Sequence, residues 1–251
     1  MLKTENITIK FGGLTALSDF SIDVGENEIV GLIGPNGAGK TTAFNVITGV
    51  YKPTSGRAFF KEQEISGKSP DKITKMGIAR TFQNIRLFKD MSVLENLLIA
   101  EHLRLKSSIG EAVTRLGRYS KEEKAMHEKA LFLLEELSLQ DNIHDKASSL
   151  SYGKQRRLEI ARALATDPSL LLLDEPAAGM NPSETMEFIS LIARIKEHHK
   201  ISVLMIEHHM QLVMGICEKI WVLDYGKEIA KGSPKDVQSN QAVIEAYLGV
   251  D

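Results

Sequence analysis

The stretch IGPNGAGKTT, residues 33–42, matches the pattern G-x-x-x-x-G-K-[ST] in a suitable context. The apolar run at residues 28–33 predicts a buried strand before the loop. After it, apolar residues recur at helical spacing, at Phe44, Val46 and Ile47. Glycines allow backbone N–H groups to turn towards an anion, and a helix start adds the positive end of its dipole. The stretch therefore predicts a phosphate-binding loop between a strand and a helix.

The side chains at the end of this loop are those that a nucleotide requires. Lys40 offers a mobile positive charge for the β- and γ-phosphates, and the Thr41 hydroxyl can ligate Mg²⁺. An ordinary glycine-rich turn would need neither side chain. The residues predicted to bind the nucleotide here are Asn36, Gly37, Ala38, Gly39, Lys40, Thr41 and Thr42.

Two acids, Asp174 and Glu175, directly follow an unbroken run of leucines at residues 170–173. Such a run suits a central parallel strand covered on both faces, and the carboxyl end of that strand faces the ligand in open α/β sheets. Asp174 is then placed to hold Mg²⁺, usually through water, and Glu175 to polarise an attacking water. The alternative is a pair of acids in a surface turn, and the phosphate-binding loop favours the functional interpretation.

Composition narrows the class of protein. The 251 residues, 43% of them hydrophobic, suffice for one large α/β domain with a subdomain. The net charge of −2 gives no sign of a nucleic-acid-binding surface, and the single cysteine excludes an internal disulfide. Apolar runs are too short for a transmembrane helix and the N-terminus is too polar for a signal peptide, so we expect a cytoplasmic chain.

Periodicity and turn residues predict the remaining elements of an α/β core. Further strands are predicted over residues 3–11, 20–24, 57–60, 78–82, 169–173, 202–206 and 220–223. Helices are predicted over residues 41–49, 70–76, 208–215 and 241–248, and another is predicted to begin at Pro182 with Asn181 as its N-cap.

The pattern becomes helical over residues 84–147. Capping boxes at residues 92–95 and 120–123 predict two helices, the first extending to residue 103. The second helix is predicted to put Met126, Ala130, Leu133, Leu134 and Leu137 on one face. Between them, residues 104–119 are polar with an excess of positive charge, which indicates either a solvated connector or contact with anionic lipid headgroups.

Ser151 and Gly153 stand just before a helix with apolar residues on one face. At a helix N-terminus they present a hydroxyl and free N–H groups to an anion. Taken alone, the pattern is equally that of an ordinary serine N-cap.

Together these motifs resemble the ATP-binding subunit of an ABC transporter over nearly the whole chain. Residues 34–42 resemble its Walker A loop, 170–175 its Walker B strand, Gln83 its Q-loop glutamine, 150–155 its signature, 178–182 its D-loop and His208 its switch histidine. The resemblance implies a RecA-like P-loop core with an antiparallel β subdomain and an inserted helical subdomain. It implies a single domain, with its core at residues 1–83 and 160–251 and the helical subdomain at 84–159.

The same resemblance implies the cofactors ATP and Mg²⁺ and assigns roles in their binding. It assigns catalysis to Glu175, His208 and Gln83, and metal binding to Thr41, Gln83 and Asp174. It adds Phe11, Ser151, Gly153 and Lys154 to the nucleotide-binding residues. Phe11 stands where the family stacks an aromatic ring on adenine, the alternative being a core strand residue. Lys154 replaces the usual glutamine or glutamate of the signature. Two subunits are expected to pair head to tail, with Ser151 and Gly153 of one facing the γ-phosphate held by the other.

A narrower resemblance is to the longer of the two ATPase types that serve branched-chain amino acid importers. It is carried by residues 11–14, 80–83, 86–88, 95–97, 150–153, 155–163, 177–179 and 246–249. It implies integral membrane permease subunits and a second ATP-binding subunit, paralogue or self, as partners, with an extracytoplasmic solute-binding protein engaged indirectly and no nucleic acid. The subunit would lie peripherally on the cytoplasmic face of the membrane.

Other functions compete with this one. The cassette could serve another cargo, such as lipid or lipopolysaccharide export, or act as a soluble ABC-type ATPase in DNA repair or translation. Soluble members typically carry coiled-coil insertions or second cassettes, and a P-loop kinase or GTPase does not explain residues 150–155. Near Gln83, the apolar residues Ile85, Leu87 and Phe88 are flanked by charge and predict a docking groove for a permease helix, with core packing as the alternative.

Overall fold

The computed structural model describes residues 1–102 and 118–248, which form two compact units. The first comprises Met1–Gln83 and Ser169–Asp251, and the second Asn84–Pro168. We predicted the second junction after residue 159. That position lies inside the helix Tyr152–Leu164, and the boundary between the units falls after this helix, between Pro168 and Ser169. The connector predicted over residues 104–119 lies, up to residue 117, outside the described residues.

In the described part of the chain, all the strands belong to the first unit. They are β1 (Leu2–Phe11), β2 (Leu14–Phe20), β3 (Asp23–Val24), β4 (Ile29–Ile33), β5 (Ser55–Phe60), β6 (Gln63–Glu64), β7 (Ile78–Arg80), β8 (Leu170–Asp174), β9 (Ser202–Ile206), β10 (Lys219–Asp224) and β11 (Lys227–Gly232). The α-helices of residues 1–102 and 118–248, numbered in chain order, are α1 (Lys40–Ile47), α2 (Pro70–Met76), α3 (Val93–Glu101), α4 (Arg118–Glu136), α5 (Tyr152–Leu164), α6 (Pro182–His199), α7 (Met210–Ile216), α8 (Pro234–Gln238) and α9 (Gln241–Leu248). Helices α3, α4 and α5 belong to the second unit.

One sheet of the first unit carries the core and is parallel except at one edge. Its order is β11-β10-β4-β9-β8-β7, and β11 alone runs antiparallel. Every residue of β4, β8 and β9 is buried, as expected for central strands covered on both faces. Parallel strands end at a common edge, so the segments that follow β4, β7, β8 and β9 come together there. The predicted P-loop α/β core is confirmed.

The other sheet is antiparallel, with the order β2-β1-β5-β6 and β3 paired to β1. It is the predicted antiparallel β subdomain. The strand predicted over residues 20–24 is wrong, because β2 ends at Phe20 and β3 begins only at Asp23. Strand β2 was missed because its alternation is irregular: Leu17 and Phe20 are buried, and β1 shifts register opposite them.

Two elements near the C-terminus were also missed, β11 and α8. An antiparallel edge strand needs no continuous apolar run, and the residues of β11 are half-buried or exposed. Helix α8 is short and begins with a capping box of Ser233 and Asp236. The helix predicted over residues 208–215 begins two residues later, at Met210. Helices α2, α6 and α9 begin where predicted.

The second unit is helical, as predicted. The capping box of α3 is confirmed: the Ser92 hydroxyl accepts from the Glu95 N–H (3.2 Å), and the Ser92 N–H donates to the Glu95 carboxylate (2.7 Å). The second predicted capping box is wrong, because α4 begins at Arg118 and Ser120 lies within it. Four of its predicted core residues, Ala130, Leu133, Leu134 and Leu137, are buried, and Met126 is half-buried. Within the described part of the chain, every helix is too short or too polar to span a bilayer.

Candidate active site

The loop between β4 and α1 is shaped by glycines that other residues could not replace. Gly34 has φ of 149°, and a Cβ there would lie 2.0 Å from the Leu223 carbonyl oxygen. Gly39 has φ of 102°, and a Cβ there would lie 2.8 Å from the Ala16 carbonyl oxygen. The loop therefore packs closely against both sheets of the first unit, in a conformation of the kind that can present backbone N–H groups to an anion.

Lys40 is the first residue of α1, and only 7% of it is exposed. Its Nζ donates to the carbonyl oxygens of Gly34 (2.7 Å) and Pro35 (2.8 Å), which holds the amine at the centre of the loop. Burial lowers the pKa of Lys40, and the carboxylates of Glu175 and Asp174 oppose that change. A cation in this position is matched to phosphate oxygens.

A cleft of about 500 Å³ opens over this loop within the first unit. Its lining includes all seven loop residues assigned to the nucleotide, from Asn36 to Thr42, together with Gln83 and Glu175. The sequence analysis missed the rest of the lining: Leu14, Thr15, Ala16, Tyr225 and Gly226. These residues come from β2 and from the turn between β10 and β11. Leu14 belongs to the stretch 11–14 that carries the narrower resemblance, but that stretch gave it no role in binding.

Three residues assigned to catalysis from separate motifs meet at the sheet edge. Gln83 Nε2 donates to Glu175 Oε2 (2.7 Å), and His208 Nδ1 lies 3.8 Å from the same oxygen. Glu175 has φ of 46°, which turns the chain sharply where β8 ends. The meeting follows from strand order, because β7, β8 and β9 are neighbours and end together.

Asp174, the last residue of β8, is 4% exposed. Its Oδ2 accepts a hydrogen bond of 2.6 Å from Nη2 of Arg80, a partner that the sequence analysis did not foresee. Thr41 lies at the second position of α1 and lines the cleft. The site fits a nucleoside triphosphate with Mg²⁺. It offers glycine N–H groups, a buried ammonium, a hydroxyl and a buried carboxylate.

Comparison with known proteins decides the family. The sequence profile of the ABC transporter family matches residues 17–178. The chain is 45% identical to the high-affinity branched-chain amino acid transport ATP-binding protein LivG of Salmonella typhimurium, over 99% of this chain and 98% of the relative. The chain belongs to the ATP-binding subunits of ABC transporters. It is thus a transport ATPase, and the predicted family and enzyme class are confirmed.

Two further comparisons support the same family for this ABC subunit, one at its C-terminus and one along nearly its whole length. The branched-chain amino acid ATP-binding cassette transporter profile matches residues 227–251. BraF of Pseudomonas aeruginosa, a high-affinity branched-chain amino acid transport ATP-binding protein, is also 45% identical, over 99% of this chain and 98% of the relative.

Solved structures show the same fold. The ADP conformation of MJ1267, an ATP-binding cassette of an ABC transporter, is 38% identical with a TM-score of 0.86, over 99% of this chain and 98% of that one. The dimeric post-hydrolysis state of the cassette MJ0796, bound to ADP and Pi, is 25% identical with a TM-score of 0.78, over 93% and 99%.

The signature residues of this ABC subunit lie in the helical unit. Ser151 is the N-cap of α5, yet its hydroxyl makes no capping bond among the described residues. A Cβ at Gly153 would meet no described heavy atom within 4 Å. Lys154 Nζ donates to Asn142 Oδ1 (2.7 Å), so its charge is tied to a neighbouring turn of the same unit. An ordinary N-cap role therefore does not explain the Ser151 hydroxyl.

Phe11 ends β1 and is 47% exposed, which rules out the alternative of a core residue. Its ring meets that of Tyr51 edge-on, with centroids 5.1 Å apart. The cleft lining described above does not include Phe11. The ring is therefore available at the surface of the first unit.

Glu207 was not predicted as a site residue, and it organises the segment around His208. It is completely buried. One carboxylate oxygen accepts from the Ala177 N–H (2.9 Å), and the other accepts from the N–H groups of His208 (3.0 Å) and His209 (3.2 Å). The sequence shows an acid directly before His208. Its role depends on its hydrogen-bond partners, and these are known only from the structure.

Proposed function

We propose that this subunit binds ATP with Mg²⁺ and hydrolyses it to power import of branched-chain or related amino acids through a separate membrane permease. The observation that carries hydrolysis is the convergence of Gln83 and His208 on the Glu175 carboxylate beside the phosphate-binding loop. The cargo is supported by the names of the relatives, which are similar along the whole chain, and by the C-terminal profile match.

The proposed chemistry divides among residues of the first unit. Lys40 and the loop N–H groups bind the β- and γ-phosphates, and Thr41, Gln83 and Asp174 would hold Mg²⁺. When bound, Mg²⁺ supplies charge neutralisation for the phosphate oxygens. Glu175 accepts a hydrogen bond from the attacking water and orients it.

Gln83 holds Glu175 by a hydrogen bond, and His208 Nδ1 lies near the same oxygen at 3.8 Å, which is longer than a hydrogen bond. A histidine donor can keep the carboxylate aimed at the water, and the amide of Gln83 reports whether the γ-phosphate is in place. Phe11 would stack on the adenine ring from the end of β1. Its exposure supports this role.

Cargo is tested by labelled uptake in the cells that make this subunit. Replacing Lys40 by alanine on the chromosome should abolish uptake of leucine, isoleucine and valine, and a wild-type copy should restore it. A matched control is Lys61→Ala, which changes a lysine of the same unit outside the cleft. Normal uptake of all three amino acids, together with loss of a lipid or another exported cargo, would overturn the assignment.

A second subunit completes the proposed site. Glycine in a helical turn lowers stability by roughly 0.5–1 kcal/mol relative to alanine, and nothing in the described surroundings of Gly153 requires one. The Ser151 hydroxyl likewise makes no capping bond among the described residues. Both features are accounted for if a γ-phosphate held by a partner approaches the start of α5. The partner is a paralogue or a second copy.

Association tests this pairing. The Glu175→Gln variant should keep ATP and dimerise with Mg·ATP, alone or with its paralogue, as measured by light scattering. Bulky replacements of Ser151 and Gly153 should prevent both association and hydrolysis. Normal hydrolysis by such a pair would contradict the shared site.

The permease is proposed to dock on the segment that follows Gln83. Within the helical unit, Ile85 and Leu87 are half-buried and Phe88 is 48% exposed. Asn96 fixes this segment: its Oδ1 accepts from the Phe88 N–H (2.9 Å), and its Nδ2 donates to the Phe88 carbonyl oxygen (3.1 Å). A rigid backbone that displays apolar side chains supports docking over core packing.

Uptake and melting measurements separate these two roles. Replacing Leu87 and Phe88 by alanine should leave ATP binding and the melting temperature nearly unchanged and abolish uptake. A collapsed melting temperature would favour core packing instead. Through this contact the subunit would sit peripherally on the cytoplasmic face of the membrane, with the extracytoplasmic solute-binding protein engaged only through the permease.

A further inference from the structure

Arg80 is a buried cation beside the predicted Mg²⁺ ligand. Its side chain is 8% exposed, and Nη2 lies 2.6 Å from Asp174 Oδ2. In the parallel register of β7 and β8, Arg80 is level with Leu172. Because side chains alternate along a strand, Asp174 lies on the same face as Leu172, two residues further along β8 and nearer the cleft. The pairing of Arg80 with Asp174 therefore follows from the register of the sheet.

The other end of the guanidinium is anchored to the helix that carries the phosphate-binding loop. Nη1 of Arg80 donates to Asn45 Oδ1 (2.8 Å) and to Thr48 Oγ1 (3.3 Å), both on or just after α1. The guanidinium carbon lies 5.4 Å from the centroid of the Phe44 ring and 5.1 Å from that of Phe82. One rigid group thus connects α1, the end of β8 and the strand that leads to Gln83.

This arrangement differs from that of an ion pair that only stabilises a fold. The planar fork of an arginine can bond two partners in fixed directions, which a lysine cannot do. Here the fork engages one oxygen of Asp174 and orients the whole carboxylate. Groups that orient a ligand in this way typically change metal affinity or activity by about 10- to 100-fold when removed.

We propose that Arg80 is a positioning residue for the Mg²⁺-binding carboxylate of Asp174, and that it sets the Mg²⁺ concentration this subunit needs to bind its nucleotide tightly. The proposal rests on the proposed function, because it takes Asp174 to be a Mg²⁺ ligand. It adds a residue that links the metal site both to the helix under the nucleotide and to β7, the strand that leads to Gln83.

The test is binding of a fluorescent, non-hydrolysable ATP analogue, titrated with Mg²⁺ and repeated in EDTA. Arg80→Gln should raise the Mg²⁺ concentration at half-saturation by about 10- to 100-fold. Binding in EDTA should stay near the wild-type value, because Lys40 and the loop are untouched. Asn45→Ala removes one of the two hydrogen bonds that Nη1 of Arg80 donates, so it should shift the Mg²⁺ requirement in the same direction but by less.

A second substitution keeps the proposal testable if Arg80→Gln does not fold. Arg80→Lys retains the positive charge and loses the fork, so it should also raise the Mg²⁺ requirement. Arg57→Gln is the matched control, since Arg57 is an exposed arginine of β5, 3.9 Å from Glu5, and its loss should change nothing. Melting temperatures of all variants identify any loss of folded protein.

Each outcome decides something. A wild-type Mg²⁺ requirement in both Arg80 variants would make the ion pair merely structural, and a lowered requirement would show that Arg80 competes with the metal; either overturns the proposal. If the wild-type subunit itself binds no analogue with or without Mg²⁺, the proposed function fails instead.

Discussion

Two buried ion pairs between arginine and a carboxylate, one in each unit, look alike and are placed very differently. In the first unit, Arg80 and Asp174 are 2.6 Å apart, with 8% and 6% of their side chains exposed. In the helical unit, Arg156 and Glu159 are 2.8 Å apart, with 0% and 1% exposed. The first pair joins two strands at the edge of the cleft. The second joins residues one turn apart in α5.

The two ion pairs differ in which structural elements they hold together. The Arg156–Glu159 pair joins residues of one helix, and Glu159 Oε1 also accepts from the Arg86 N–H (3.4 Å), so these charges serve the packing of α5 within the helical unit. Arg156 also bonds the Tyr152 hydroxyl (3.0 Å), again within the same helix. The Arg80–Asp174 pair joins strand ends beside the cleft, and under the proposed function it orients a carboxylate that Mg²⁺ would meet. We therefore expect changes at the cleft edge to alter nucleotide chemistry, and changes at buried charges of the helical unit to alter stability.

The largest expected effect is on turnover. Glu175→Gln keeps the size of the side chain but loses the negative charge that orients water, so phosphate release should fall by about 10²–10⁴-fold. ATP binding and the melting temperature should match the wild type. A parallel loss of stability would break the comparison, and normal turnover would remove Glu175 from its role.

The next effect is on stability alone. Arg156→Met leaves Glu159 buried with its principal cation removed, which should lower the free energy of unfolding by about 3–5 kcal/mol in urea titrations. The double variant with Glu159→Leu should recover most of the loss, because it removes both charges. Nucleotide affinity of the folded fraction should be unchanged. An altered Mg²⁺ requirement would contradict the division between the units.

A pH-dependent effect is expected from Glu101, at the end of α3. Burial raises its pKa from 4.5 to about 7, while Lys129 lowers it and Asp167 raises it. The folded state therefore holds this proton more tightly than the unfolded state, and stability falls as the pH rises from about 4.5 to about 7.

Glu101→Gln should remove this dependence. Its unfolding free energy at pH 8 should exceed that of the wild type by about 1–3 kcal/mol, and the advantage should vanish towards pH 4.5. Glu128→Gln on the exposed face of α4 is the control and should leave the pH profile as it is. A wild-type profile in Glu101→Gln would show that Glu101 carries no such penalty.

The smallest effect distinguishes two serines that both begin helices. Ser92→Ala removes a capping bond and should cost about 0.5–2 kcal/mol in thermal or urea unfolding. Ser151→Ala removes a hydroxyl that makes no capping bond among the described residues, so stability should be unchanged while hydrolysis by the assembled pair falls. Equal losses of stability would mean that Ser151 is an ordinary cap.

Features that depend on neighbouring residues were predicted well. The leucine run that became β8, Asn181 as the cap of α6, and Gly77 ending α2 each rest on a few consecutive positions. Weaker local patterns failed, as in β2, β11 and the predicted cap at Ser120, because the surrounding structure overrides such signals.

By itself, the sequence determined the phosphate-binding loop, the strand before Asp174 and Glu175, and the family. Only the tertiary structure decided which side chains meet. Gln83 reaches Glu175 across 92 residues of chain, and Arg80 reaches Asp174 across 94. The physical reason is that strand order and register bring these residues together, and the central strands β8 and β9 are buried at every position, so they show no alternation from which order or register could be read.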